Sequence, residues 1–263
     1  MKPLSPKFHV LALAASLLLA AAPAHAVGSL VDVNVIDRDS GARLLVYHHD
    51  GQWWIIGRPG ARYAIEARNS YNERMEIVAS VDGVNVISGE TAGWQQRGYV
   101  LSGGETYRIT GWRKSNTQVA AFNFTALPNS YAARTGRPGN VGVIGVAVFR
   151  EQPRPVEPFQ DREAAKPLPA PPSATAAPVQ REQRAAQSLG TGHGAREQSR
   201  VIDTAFDRLS TQPGDLITIR YDSCKNLTAR GVILVRACPP ESPPTPFPES
   251  DNNRYAPDPP PLR

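Results

Sequence analysis

The chain has 263 residues, with 29 Lys and Arg against 24 Asp and Glu, a formal charge of +5 and 25 prolines. Acidic residues are interspersed almost everywhere the basic ones occur, so no face or stripe concentrates positive charge as a nucleic-acid binder does, and nucleic acid is excluded as the expected partner.

Residues 1–26 read as a secretory leader. Lys2 and Lys7 give a cationic start, Val10 to Ala22 an apolar run of 13 residues, and Ala24-His25-Ala26 a small-x-small site with cleavage expected between Ala26 and Val27. The run is too short to cross about 30 Å of hydrocarbon at about 1.5 Å per residue, so no membrane span is expected after the leader is removed. No cysteine follows the cleavage site, which argues against lipid attachment there. Loss of Lys2 and Lys7 takes the charge from +5 to +3. The expected location is the periplasm or outside the cell.

Residues 27–150 show short β-type segments between turns and no apolar stripe of helical length, which predicts an all-β sandwich. Val31, Val33 and Val35 alternate with other residues, Asp39-Ser40-Gly41 is a turn, and Leu44 to Tyr47 follows, the pattern of a hairpin. Asp50-Gly51 leads into 52–56, and 63–67 alternates again. Residues 75–81 and 84–87 about Asp82-Gly83 give the clearest hairpin signal, since Asp-Gly tolerates the positive φ of a two-residue turn. Further strands are expected at 99–101, 106–112, 119–124 and 141–149, the last apolar and glycine-interleaved as a central strand would be.

Of the prolines, 8 fall in 151–187 and 10 in 239–263. Proline removes a backbone donor and favours extended chain, so these stretches read as a disordered Pro/Ala-rich linker and a disordered Pro-rich tail. Between them, 188–238 reads as a small β module packed on the first domain. Within it 201–209 fits a helical period, while Gln212-Pro213-Gly214-Asp215 and the pattern of 216–221 favour strand, turn, strand; a further strand is expected at 231–236.

The strings Ser80-Val81-Asp82-Gly83-Val84-Asn85-Val86-Ile87-Ser88-Gly89-Glu90, Gly98-Tyr99-Val100-Leu101, Gly111-Trp112-Arg113-Lys114-Ser115, Val119-Ala120-Ala121-Phe122 and Asn140-Val141-Gly142-Val143-Ile144-Gly145-Val146 resemble a group of exported proteobacterial proteins. Leu189-Gly190-Thr191-Gly192-His193-Gly194 and Tyr221-Asp222-Ser223 resemble their C-terminal part. The resemblance covers most of residues 60–235. It implies kinship, and brings with it no activity, cofactor or catalytic residue.

Cys224 and Cys238 would meet an oxidising compartment, which favours a disulfide. A hairpin of 215–222 with 231–238 would instead put Cys238 near Asp215, roughly 20 Å from Cys224, whereas a disulfide needs Cα atoms within about 7 Å. The hairpin and the disulfide are alternatives.

His48, His49 and Asp50 are adjacent, and neighbouring strand residues point to opposite faces, so they are expected to form a solvated turn and no metal site. His193 lies among glycines that let backbone approach a ligand, yet no strand and no Gly-Lys-Ser/Thr make the string a phosphate loop. No nucleophile elbow is present, so no catalytic residue is assigned. All four tryptophans lie in 27–150. Trp53 and Trp54 should face opposite sides of a strand, Trp94 sits in a polar loop, and Trp112 stands beside Arg113 and Lys114. Trp94, Trp112, Arg113 and His193 are therefore the candidate binding residues. The expected function is non-enzymatic binding, without cofactor, of a protein or glycan of the cell envelope. A structural or accessory envelope component is the alternative, and a hydrolase whose site assembles from remote residues is the third class.

Overall fold

Alternating apolar residues make strands with one face to bury, and the computed structural model, which describes residues 26–153 and 188–238, pairs those strands into two sheets over one core. Residues 1–25, 154–187 and 239–263, which hold nearly all of the expected leader, linker and tail, lie outside the described residues. In chain order the elements are β1 (Val31–Asp37), β2 (Val46–His49), β3 (Gln52–Ile56), β4 (Arg62–Asn69), β5 (Met75–Val81), β6 (Val84–Asn85), β7 (Tyr99–Leu101), β8 (Thr106–Ile109), β9 (Gly111–Ser115), β10 (Gln118–Ala126), the short helix α1 (Tyr131–Arg134), β11 (Val143–Arg150), β12 (Leu189–Gln198), β13 (Asp215–Asp222) and α2 (Cys224–Ala229). Sheet A runs β1-β4-β10-β12, with β8 on β4 and β9 on β10. Sheet B runs β2-β3-β13-β11-β5-β6, with β7 on β5. Within both sheets every strand pair is antiparallel except β3 with β13.

Val33, Val35, Tyr63, Ile65, Phe122 and Phe124 of sheet A meet Ile55, Ile77, Val146 and Ile219 of sheet B in the core. Burying each such side chain contributes about 1.5–3 kcal/mol, so this cluster is the main source of stability. β11 is the central strand its composition suggests. Ile144, Val146 and Val148 face the core, while Ala147 and Phe149 on the other face pack with Val78 under Phe206. A strand covered on both sides has no polar face, which explains its unbroken apolar character. The two Asp-Gly turns form as expected, with positive φ at Asp50 and Gly51 and at Asp82 and Gly83.

Five expectations are corrected. The 31–37 and 44–47 segments pair only next to the turn, where Ile36 bridges Arg43 and the Leu44 N–H donates to the Val35 carbonyl at 2.8 Å, and the hairpin goes no further. The chain does turn there, with the Asp37 carboxylate accepting from the Ser40 N–H at 2.9 Å, but β1 stays on β4 while β2 pairs with β3 in the other sheet. Crossing over puts the apolar sides of β1 and β2 on opposite walls of one core. The expected strand 106–112 is broken at Thr110, β8 pairing with β4 and β9 with β10. At the break a Cβ on Gly111 would lie 2.1 Å from the Ala120 carbonyl oxygen, so only glycine fits.

The C-terminal block is not a module beside the first domain. β12 adds to β10, and β13 is inserted between β3 and β11, so both sheets are completed by it. Residues 199–214 before β13 are neither helix nor strand. They carry the chain from one sheet to the other, and an extended path covers about twice the distance per residue that a helix would. Phe206 alone of their large apolar residues reaches the small outer cluster, while Ile202 stays 89% exposed. The expected strand 231–236 is also absent. Ser223 caps α2, its hydroxyl accepting from the Asn226 N–H at 3.2 Å, and the chain folds back through a 3-10 turn at Val235–Ala237. This reversal joins Cys224 to Cys238 at a Cα separation of 5.7 Å. It covers Ile56 on the outer face of β3 with Leu227 and Ile233.

Candidate functional site

A buried polar cluster pins the strands of both sheets together. Asp82, 1% exposed at the β5–β6 turn, accepts at Oδ1 from the Tyr221 hydroxyl at 2.5 Å and the Gly142 N–H at 2.9 Å, and at Oδ2 from the Thr191 N–H at 2.8 Å. Thr191 Oγ1 lies 2.6 Å from the hydroxyls of both Tyr63 and Tyr221. Burial raises the Asp82 carboxyl to about 6 despite these donors. Burial and the Asp82 charge push both tyrosines well above their ordinary value, so they stay neutral donors. With the Asp82, Tyr63, Thr191 and Tyr221 side chains all buried, the cluster organises the fold.

The four residues nominated from sequence do not form one site. Trp112 is buried at 1% exposure, its indole N–H donating to the Gly192 carbonyl at 3.1 Å, which corrects its assignment as an exposed binding aromatic. Arg113 points the other way, as strand alternation requires, and donates to the Ser199 carbonyl at 2.6 Å, the Ser199 hydroxyl at 3.1 Å and the Tyr99 hydroxyl at 3.3 Å. It clamps the start of the 199–214 segment to sheet A. Trp94, 36% exposed, lies on a separate loop whose Trp94 and Gln96 carbonyls both accept from Arg208. Trp53 packs on the main core and Trp54 on the small cluster beneath the disulfide, the division expected of opposite faces.

His193 sits within β12. Its glycine neighbours are packing positions: a Cβ on Gly190 would lie 2.6 Å from Ser130 Cβ, and one on Gly192 2.8 Å from Asn123 Oδ1. The imidazole stacks on Tyr131 at 5.7 Å between centroids, and Trp112 backs the same ring at 4.7 Å. Around Tyr131 the sheet edge and α1 gather Lys114, whose ammonium is 5.5 Å from the ring, together with Arg134 and Arg196. Burial, then the charges of Lys114, Arg134 and Arg196, hold His193 below the usual histidine range. Burial and Arg196 likewise lower Lys114. Among the described residues none of these four basic groups is in an ion pair, whereas Arg38 and Arg62 are matched by Glu197, and Arg62 also by Asp39. Sequence reasoning found His193 and missed Tyr131, Arg134 and Arg196, whose approach depends on strand pairing and on the fold of the 127–134 turn.

No group of three or more His, Cys, Asp and Glu side chains is arranged to hold a metal ion among the described residues, and His49 pairs with the adjacent Asp50 at 3.3 Å. No described helix is long and apolar enough to cross a membrane. Comparison with protein-family models, curated proteins and solved structures gave no match, so the chemistry of this surface is read from its own geometry.

Proposed function

We propose that this is an exported, non-enzymatic binding protein that recognises an acidic glycan or protein of the cell envelope through the basic surface of Lys114, Arg134, His193 and Arg196 about Tyr131. The observation behind this reading is a cluster of four basic side chains, on three different elements, without an ion-pair partner among the described residues. Burial first, and then the repulsion of like charges held together, lowers Lys114 and His193, and an anionic partner would relieve that repulsion while displacing counterions. Binding should be tested with the mature chain on immobilised polygalacturonate, a carboxylated glycan, and polyglutamate, a carboxylated peptide. Retention that weakens with added salt is expected on at least one polymer, and the Lys114→Gln, Arg196→Gln double variant should weaken it by about tenfold. Retention on one polymer alone identifies the partner class. Failure to bind either polymer at low salt overturns the reading.

A further inference from the structure

Two buried N–H donors on the outer face of sheet B have no acceptor among the described residues: Nε1 of Trp54 and Nε of Arg220. They are neighbours. The parallel register sets Arg220 of β13 beside Trp54 of β3, with the guanidinium carbon 5.8 Å from the indole centroid. Arg230, at the end of α2, comes over the same indole at 5.7 Å. All three line a cavity of about 60 Å³, together with Gly142, Leu189 and Asp222. Arg220 also reaches a larger cleft of about 480 Å³ beside Trp53 and Leu216.

A buried donor without an acceptor is costly, and more so when it is charged, so unmatched donors on two adjacent residues that line a cavity call for a partner rich in acceptors. The charge around the cavity gives its sign. Asp222 is the only carboxylate in the wall. Its Oδ1 accepts from the Ser223 N–H at 2.8 Å, Asn226 Nδ2 at 2.8 Å and the Leu189 N–H at 3.3 Å, while its Oδ2 pairs with Arg230 at 3.3 Å. That pairing balances Arg230 and leaves Arg220 without a counter-charge among the described residues. A planar guanidinium over an indole whose own N–H is also unmatched suits an oxyanion, which has acceptors for both. A water needs about 10–15 Å³ of such space, so the cavity takes the head of a carboxylate or phosphate with the rest of its carrier outside.

We propose that Trp54, Arg220 and Arg230 form an oxyanion-binding site, with Arg220 and Trp54 donating to a carboxylate or phosphate group and Arg230 reinforcing the positive field. Its three donor residues are on β3, β13 and the end of α2, whereas the basic surface is on β9, α1 and the 193–196 part of β12, and the proposal stands independently of the binding reading given above. The mature chain should be titrated by calorimetry and thermal shift with sodium acetate and with inorganic phosphate, against sodium chloride at matched ionic strength. Saturable binding of at least one oxyanion is expected. Trp54→Phe, which keeps a ring and removes the N–H, and Arg220→Gln, which removes the charge, should each weaken it about tenfold with unchanged circular dichroism. Saturation by acetate alone assigns a carboxylate and by phosphate alone a phosphate. If Arg220→Gln does not fold, Trp54→Phe decides. No saturable response to either anion, or a response the same in the folded variants as in the parent, overturns the proposal.

Discussion

Asp82 serves a turn and a core at the same time. Its positive φ beside Gly83 is what an Asp-Gly hairpin requires, and that role was legible in the sequence. Its second role was not, because Gly142, Thr191 and Tyr221 lie 60, 109 and 139 residues away and only the folded sheets bring them to one carboxylate. Alternation also explains why Trp112 and Arg113 fail as a joint aromatic and cationic site. Consecutive strand residues face opposite sides, so one is buried and the other reaches across the surface to Ser199. The buried carboxyl has a consequence for pH. Its value rises from 3.8 to about 6 on folding, so between these limits the folded chain binds the proton that the unfolded chain has released. Stability from this group therefore increases as pH falls from about 6 toward 4 and is lost as pH rises, by up to about 3 kcal/mol. Asp82→Asn should remove that slope, and at neutral pH should cost about 1–3 kcal/mol by presenting an amide donor to one of the three donors Asp82 satisfies. Denaturant melts of both proteins at several pH values check this. Parallel stability curves for the parent and the variant would refute the assignment.

At the scale of an element, the end of the chain after β13 shows how a correct local pattern can mislead. Val232, Ile233 and Leu234 look like a strand, but Ser223 starts a helix directly after β13 and turns the chain back before a hairpin can form. Only Ile233 of the three becomes buried, in the cluster with Ile56 and Leu227. Such a small cluster gives α2 little support of its own, which makes the Cys224–Cys238 link its principal restraint. Closing a loop with a sequence separation of 14 contributes about 3 kcal/mol in the chain-entropy picture. Reduction, or the Cys224→Ser, Cys238→Ser pair, should therefore loosen α2 and the 3-10 turn while β5 and β11 keep their ladder. Hydrogen exchange separates the two regions. Protection should fall in 224–238 and persist in 75–81 and 143–150, and equal loss in both would mean that the bond supports the whole sandwich.

For the molecule as a whole, strand content and the central place of β11 followed from composition, while the sheet partners other than those joined by the Asp-Gly turns did not. A block of about fifty residues has too little surface to bury for a core of its own. That premise suggests a small module packed against the first domain, but Leu189, Ile217, Ile219 and Tyr221 belong to the first domain's core. Ile219 and Tyr221 lie within it, and Tyr221 packs against Tyr63 and Phe124 at 6.5 and 5.2 Å. Without the block, β3 and β11 would lose the strand between them, and the Asp82 carboxylate would lose two of its donors while still buried. Residues 27–153 made alone should then fail to fold cooperatively and should aggregate through their open strand edges. Supplying 188–238 as a separate chain should restore a cooperative β structure, because the ladders and the buried contacts need no covalent connection and the intervening residues chiefly raise the effective concentration of the second piece. Co-expression followed by size exclusion and a thermal melt makes the comparison. A sharp melt from 27–153 alone would show the first block to be a self-sufficient domain, and a mixture that stays unfolded would show that covalent continuity is needed for the sheets to close.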